Sequence, residues 1–147
     1  MRAVLTRVKS ASVAINGEVV GKIGQGFLIL LGVGPNDNEQ TCRYLAEKAL
    51  GLRVFEDENG KMNYSVLDVG GQVLLVSQFT LLAETEHGHR PSFTQAEEPQ
   101  LAKIAYLNFA EFLKTYGVPV QMGVFGADMT INQCNDGPVT IVMEKKL

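Results

Sequence analysis

Apolar and polar positions alternate loosely from residue 2 to residue 15, with Val4, Thr6 and Val8 on one side and Leu5, Arg7 and Lys9 on the other. That period of two predicts a first strand. Asn16-Gly17 separates it from the β-prone Glu18-Val19-Val20, and Asn-Gly between two such runs predicts a two-residue hairpin. Gly24-Gln25-Gly26 marks a second turn. Residues 27–33 form a continuous apolar run bounded by glycines, the pattern of a strand buried on both faces. The spacing then predicts a helix over 38–50, capped by Asn36 or Asp37, with Gly51 as a left-handed terminus. Tyr44, Leu45, Ala49 and Leu50 form its inner stripe; Arg43, Glu47 and Lys48 face water. Residues 52–55 read as a strand and 57–60 as a polar turn.

Gly70-Gly71 precedes residues 72–79, the best candidate for a central strand. Residues 83–98 are polar and lack periodicity; long loops inside compact domains tend to carry function. A second helix is predicted over 99–116. Pro99 suits its first turn, and Leu101, Ile104, Ala105, Phe109, Phe112 and Leu113 recur at helical spacing. Gly117 and Pro119 stop it. Strands are expected at 120–125, 128–134 and 138–144, with a turn at Asn135-Asp136-Gly137-Pro138-Val139-Thr140. About eight strands and two helices predict a mixed α/β domain with the helices on one side of a sheet.

Composition narrows the function classes. The chain has 147 residues, 46% hydrophobic and 20% charged, which predicts one globular domain spanning 1–147. No apolar run approaches bilayer length, and residues 1–9 carry charges where a secretory signal needs an apolar core. Cys42 and Cys134 lie far apart without metal-ligand spacing, so two reduced thiols in a cytoplasmic protein are expected. Net charge is −3, whereas non-specific nucleic-acid binders are normally basic. Any nucleic acid must therefore be held by a local patch.

Standard catalytic signatures are absent. There is no phosphate-binding G-x-x-x-x-G-K-[ST], no G-x-S-x-G and no H-E-x-x-H. The glycines between residues 21 and 34 fail the G-x-G-x-x-G spacing and read as turns. A Ser-His-acid triad needs a histidine base, and the only two, His87 and His89, sit in the polar loop. They read as solvated residues, because no carboxylate or thiol at ligand spacing is seen beside them. Ser77-Gln78-Phe79-Thr80 ends the central strand, where α/β sites form; it offers two hydroxyls and an amide able to stabilise an oxyanion. The same residues suit a polar strand end that satisfies its own backbone. X-Pro bonds are cis in only about 5–6% of cases, so neither Gly34-Pro35 nor Gly137-Pro138 is assigned cis on composition.

Over essentially its whole length the chain resembles the D-aminoacyl-tRNA deacylases of the bacterial and eukaryotic type. The resemblance runs through Met1-Arg2-Ala3-Val4, Arg7-Val8, Ala11-Ser12-Val13 and Gly17-Glu18-Val19-Val20-Gly21. It continues in Leu52-Arg53-Val54-Phe55-Glu56-Asp57, Gly60-Lys61-Met62-Asn63, Gly88, Arg90-Pro91-Ser92-Phe93 and Phe125-Gly126-Ala127-Asp128-Met129. Its hallmarks are Ser77-Gln78-Phe79-Thr80-Leu81 and Asn135-Asp136-Gly137-Pro138-Val139-Thr140.

The resemblance implies a mostly antiparallel, barrel-like sheet with two helices packed on one side. It implies a homodimer in which a cis Gly137-Pro138 enters the partner's pocket as a chiral gate, with Arg7 helping to hold it. Backbone oxygens there leave no room for an L side chain, while D-residues and glycine, including Gly mischarged on tRNA(Ala), pass. Catalytic work falls to Ser77, Gln78, Phe79 and Thr80. Either the tRNA's terminal 2′-hydroxyl and backbone donors carry the hydrolysis, or Thr80 attacks covalently without an evident base. The implied partner is the aminoacylated 3′ end of tRNA, with no cofactor, metal, DNA or membrane. A catalytically silent, dimeric aminoacyl-binding module is the alternative reading. Position 87 is His where the family usually has Lys, position 6 is Thr where it has Gln, and Gln133 and Cys134 replace apolar residues.

Overall fold

The computed structural model describes residues 1–146. In chain order its elements are β1 (Arg2–Ile15), β2 (Glu18–Ile23), β3 (Gly26–Gly32), α1 (Glu39–Gly51), β4 (Phe55–Glu56), β5 (Met62–Tyr64) and β6 (Gln72–Ser77). A 3₁₀ turn (Phe79–Leu82), α2 (Pro99–Thr115), β7 (Val120–Met122) and β8 (Thr130–Glu144) follow. The Asn-Gly hairpin forms as predicted: Asn16 and Gly17 have φ of 51° and 81°, and Ile15 pairs with Glu18. Positive φ at both loop residues matches the twist of the flanking strands.

One sheet runs β2-β1-β3-β6-β7, and β8 pairs with β1 off this path. All β1 pairings are antiparallel, whereas β3–β6 and β6–β7 are parallel. The sheet curls until β2 closes on β7, so that a Cβ added at Gly21 would sit 3.1 Å from Met122 O. Side chains alternate between two cores. Phe27, Ile29, Leu31, Val73 and Leu75 pack with both helices, while Leu28, Leu74 and Val76 pack with Val8, Val13 and Ile23 inside the curl. β3 and β6 are therefore buried on both faces, which is why their sequences read as unbroken apolar runs.

Several local expectations need correction. Asn38 caps α1, its side chain accepting from the N–H groups of Gln40 and Thr41; Asp37 instead accepts from Gly34 N at 2.7 Å. Gly51 stays helical and Leu52 is the C-cap. Tyr44 faces solvent, and Thr41, Cys42 and Ala46 join Leu45, Ala49 and Leu50 inside. On α2 the buried stripe is Ala102, Ala105, Tyr106, Phe109, Ala110 and Leu113, leaving Leu101 and Ile104 exposed. Small residues let the two helices approach closely, a choice that hydrophobic periodicity does not see. The strand expected over 52–55 begins only at Phe55, and Val54 O accepts from Arg7 instead of from a neighbouring strand. The central strand ends at Ser77 instead of Phe79, and the strand at 120–125 stops at Met122. The two strands expected at 128–134 and 138–144 are a single element, β8, that bulges at the position of the expected turn. Among the described residues no helix is long and apolar enough to cross a membrane.

Candidate active site

The first wall of the site grows from the end of β6. Ser77 pairs with Leu31, and Gln78 N donates to Leu31 O at 2.8 Å, so the strand end is fixed to the buried β3. The chain then tightens into the 3₁₀ turn, closed by Leu81 N to Gln78 O (3.2 Å) and Ala83 N to Thr80 O (3.1 Å). The turn lies flat on Gly32. A Cβ there would run into Leu82 Cδ2 and come within 3.0 Å of Gln78 O and 3.1 Å of Leu81 Cβ. Only glycine permits that approach.

Beside this wall opens a cavity of about 670 Å³. Ser77, Gln78 and Phe79 line it, with Phe93, Phe125 and Met129. Phe79 and Phe93 meet edge to face at 5.1 Å. Glu97 and Glu98 stand on its wall, and no Lys, Arg or His lines it. Thr80 is exposed and does not line the cavity; its Oγ1 accepts from Gln78 Nε2 at 2.5 Å. No acceptor faces the N–H groups of Phe79 and Thr80 among the described residues, so both remain available as donors.

The cavity floor is braced by Tyr106, which is 1% exposed and donates its hydroxyl to Leu75 O at 2.9 Å. Burial pushes its phenol up to about 12. Its ring lies 5.9 Å from that of Phe125. Burial likewise pushes the Cys42 thiol up to about 11, so this cysteine packs against α2 as an inert group.

The second wall is the bulge in β8. Thr6 pairs with Thr140 and Val8 with Asn135, so Arg7 alone stands opposite four residues, 136–139. The Gly137-Pro138 peptide bond is cis, and it is the only cis bond among the described residues. Gly137 has φ of +124°, and a Cβ on it would lie 3.0 Å from Val139 N and 3.1 Å from Arg7 Nη2. Arg7 is 4% exposed. Its Nε donates to Asp136 O at 3.2 Å and lies 3.4 Å from Asp136 Oδ2. Its Nη1 donates to Val54 O at 2.6 Å, and Nη2 lies 3.9 Å from Glu56 Oε1. One guanidinium thus ties the bulge to the β4–β5 hairpin. Gly137 and Pro138 are exposed and do not line the cavity of their own chain.

Of the residues singled out in the sequence, Ser77, Gln78 and Phe79 meet at the cavity, Thr80 adjoins it, and Gly137, Pro138 and Arg7 form a separate wall. Phe93, Phe125 and Met129 gain a site role only from the fold. An aromatic in an otherwise polar loop is the one sequence signal that marks Phe93. Both histidines are exposed, as solvated loop residues should be, but the premise that no carboxylate accompanies them needs correction: His87 Nδ1 lies 3.4 Å from Glu84 Oε2, and ligand atoms of Glu84, Glu86 and His87 lie within 4.8 Å of one another.

Comparison with known proteins places these features in context. The D-Tyr-tRNA(Tyr) deacylase family matches residues 4–144. A D-aminoacyl-tRNA deacylase of Thermosipho africanus (strain TCF52B) is 50% identical over 146 residues, covering 99% of this chain and 98% of that protein. Among solved structures, the c-Myc DNA Unwinding Element Binding Protein superposes with a TM-score of 0.94 at 41% identity, covering all of both chains. A structure described as a "probable eukaryotic D-amino acid tRNA deacylase" gives a TM-score of 0.80 over 97% of each chain; at 16% identity it shares the fold.

Proposed function

The chain belongs to the D-Tyr-tRNA(Tyr) deacylase family, and on that premise we propose that its two walls work in pairs, the bulge of one copy meeting the cavity of a second. The activity is hydrolysis of the ester joining a D-amino acid to tRNA. The observation that carries the paired arrangement is that Gly137 and Pro138 are exposed, held in shape by a buried arginine, and absent from their own chain's cavity. The outer edge of β8 is also unpaired among the described residues.

The chemistry follows from what each wall offers. The cavity is apolar and aromatic, which suits the terminal adenosine of tRNA, and its carboxylates keep phosphates outside. The ester carbonyl then lies at the 77–80 turn, where the N–H groups of Phe79 and Thr80 donate hydrogen bonds to the developing oxyanion. Water adds to the carbonyl carbon, the acyl–oxygen bond breaks, and the ribose oxygen leaves with a proton. Thr80 Oγ1 accepts from an amide and has no base, so the neighbouring ribose 2′-hydroxyl, which needs no protein group, assists the attack. Across the site, the backbone oxygens of the partner's bulge abut the Cα of the amino acid and exclude an L side chain. Glycine has none to exclude, so Gly on tRNA(Ala) is also cleaved. The working unit is the single domain 1–147, and its place of action is the cytoplasm, where aminoacyl-tRNA is used. The DNA element in one relative's name belongs to that protein; the net charge of −3 supports no such reading for this chain.

The test is hydrolysis of D-Tyr-tRNA, L-Tyr-tRNA and Gly-tRNA(Ala) by purified protein, with light scattering for mass. Cleavage of the first and third but not the second, by a species of twice 16.0 kDa, is expected. Co-expressing Gly137→Ala and Gln78→Ala copies should give activity above that of either variant alone, because a mixed pair retains one intact site. Failure of that rescue at normal mass would refute the shared site.

A further inference from the structure

The run Arg90-Pro91-Ser92-Phe93 has no part in the two walls beyond Phe93, yet its geometry is well defined. Residues 84–92 form an arm closed at its base by an antiparallel bridge, Glu84 N to Ser92 O at 2.8 Å and Ser92 N to Glu84 O at 3.0 Å. The residue after the bridge, Phe93, lines the cavity and packs on Phe79. The arm is therefore anchored on the catalytic wall. Residues 85–91 at its tip are exposed.

Arg90 is a permanent cation at that tip. Pro91 restricts it to extended backbone, and three residues of chain put its Cα no more than about 11 Å from that of Phe93. Among the described residues it makes no ion pair, hydrogen bond or aromatic stack. Of the arm's other titratable groups, Glu84 accepts from Glu86 N and faces His87 Nδ1, while the Glu86 carboxylate and His89 make no ion pair among the described residues. The cavity itself contains carboxylates and no cation. A nucleic-acid end that places its last nucleoside in this cavity must therefore find the countercharge for its adjoining phosphates outside it.

Resting on the deacylase reading, we propose that Arg90 is that countercharge: the arm 84–92 is a phosphate-contacting element for the phosphodiesters just 5′ of the terminal adenosine. A planar guanidinium matches phosphate oxygens two at a time, which a lysine does not. The arm thereby separates tRNA binding from the chemistry, holding the strand while the 77–80 turn handles the ester.

The experiment compares two substrates, D-Tyr-tRNA and the D-tyrosyl ester of adenosine, which lacks phosphates. Arg90→Ala should lower kcat/KM on D-Tyr-tRNA about 10- to 100-fold, mainly through KM. It should leave the adenosine ester unchanged, which also shows that the variant is folded. Arg90→Lys should fall between. The slope of log(kcat/KM) against log salt for D-Tyr-tRNA should become shallower by ~0.7 for each phosphate the variant no longer neutralises. Equal losses on both substrates would make Arg90 structural and overturn the proposal, as would an unchanged rate on tRNA. Wild-type protein inert on D-Tyr-tRNA would instead refute the deacylase reading beneath it.

Discussion

The 77–80 turn and the 136–139 bulge, the two walls of the proposed site, are built on opposite principles. The turn is an extension of the core. Its strand is buried on both faces, its end is hydrogen-bonded to β3, and it rests on Gly32 with no space between. The bulge is a departure from regular structure on an edge strand, exposed, and shaped by one side chain from β1. A wall held by a packed core tolerates the removal of any one neighbour. A wall held by one guanidinium does not. The difference teaches that precision of position and stability of fold have been placed in different parts of this chain.

The sharpest way to break the comparison is to disturb the bulge. Arg7→Ala removes the donors to Asp136 O and Val54 O, and Gly137→Ala places a methyl against Arg7 at a positive φ. Each should cut kcat/KM on D-Tyr-tRNA by on the order of a hundredfold, since displacements of about 1 Å cost that much. D-over-L discrimination, read by parallel assays with L-Tyr-tRNA, should narrow for both. Disturbing the turn should instead appear in stability. Gly32→Ala overpacks the junction with Leu82 and Gln78 at a cost of about 1–3 kcal/mol, seen as a calorimetric Tm lower by about 3–10 °C.

A third variant probes the core beneath the turn by pH. The folded state holds the Tyr106 proton up to about 12 instead of 10, so between those values the native state binds more protons than the unfolded one. Stability therefore falls as pH rises from 10 towards 12, by on the order of 2 kcal/mol. Urea titrations at about pH 8 and 11 should show a loss that the raised Cys42 thiol shares, and Tyr106→Phe should remove the tyrosine's part, on the order of 1 kcal/mol. Within the turn, Thr80→Ala should reduce turnover tenfold or less, while a substrate ending in 2′-deoxyadenosine should be nearly inert with the unmodified protein. Rapid cleavage of the deoxy substrate together with a dead Thr80→Ala would assign the attack to Thr80. Smallest of all, exhaustive chelation should leave the rate within about twofold, because Glu84, Glu86 and His87 sit on the arm and not at the ester.

How much of this is legible in the sequence follows from the same division. The hairpin at Asn16-Gly17, the doubly buried strands and both helices are dictated by local pattern, and they stand where pattern puts them. The inner stripe of α2 is harder to read, because Leu101 and Ile104 are more hydrophobic than Ala102 and Ala105, yet the helix pair selects small residues where it meets. The single strand β8 reads as two because Gly137-Pro138 carries every local mark of a turn. What keeps it in the sheet is β1, at the other end of the chain. The cavity is invisible to local pattern for a related reason. Phe79, Phe93, Phe125 and Met129 come from separated stretches of chain, and nothing in their spacing announces that they meet. The resemblance to a family supplies the residues of both walls, whereas their separation within one chain needs coordinates.

The pairing of β1 with β8 also sets an order of events. β1 is synthesised first, β8 follows every other element described here, and the two run side by side over almost their full lengths. Until β8 emerges from the ribosome, the nascent chain carries an open edge on β1, and Arg7 has no bulge to hold. Closing a loop of that length is slow compared with forming the hairpin or helices. The proposed gate is thus the last piece of the fold to be installed, and a chain truncated before β8 would lose it together with Ile131 of the cavity lining.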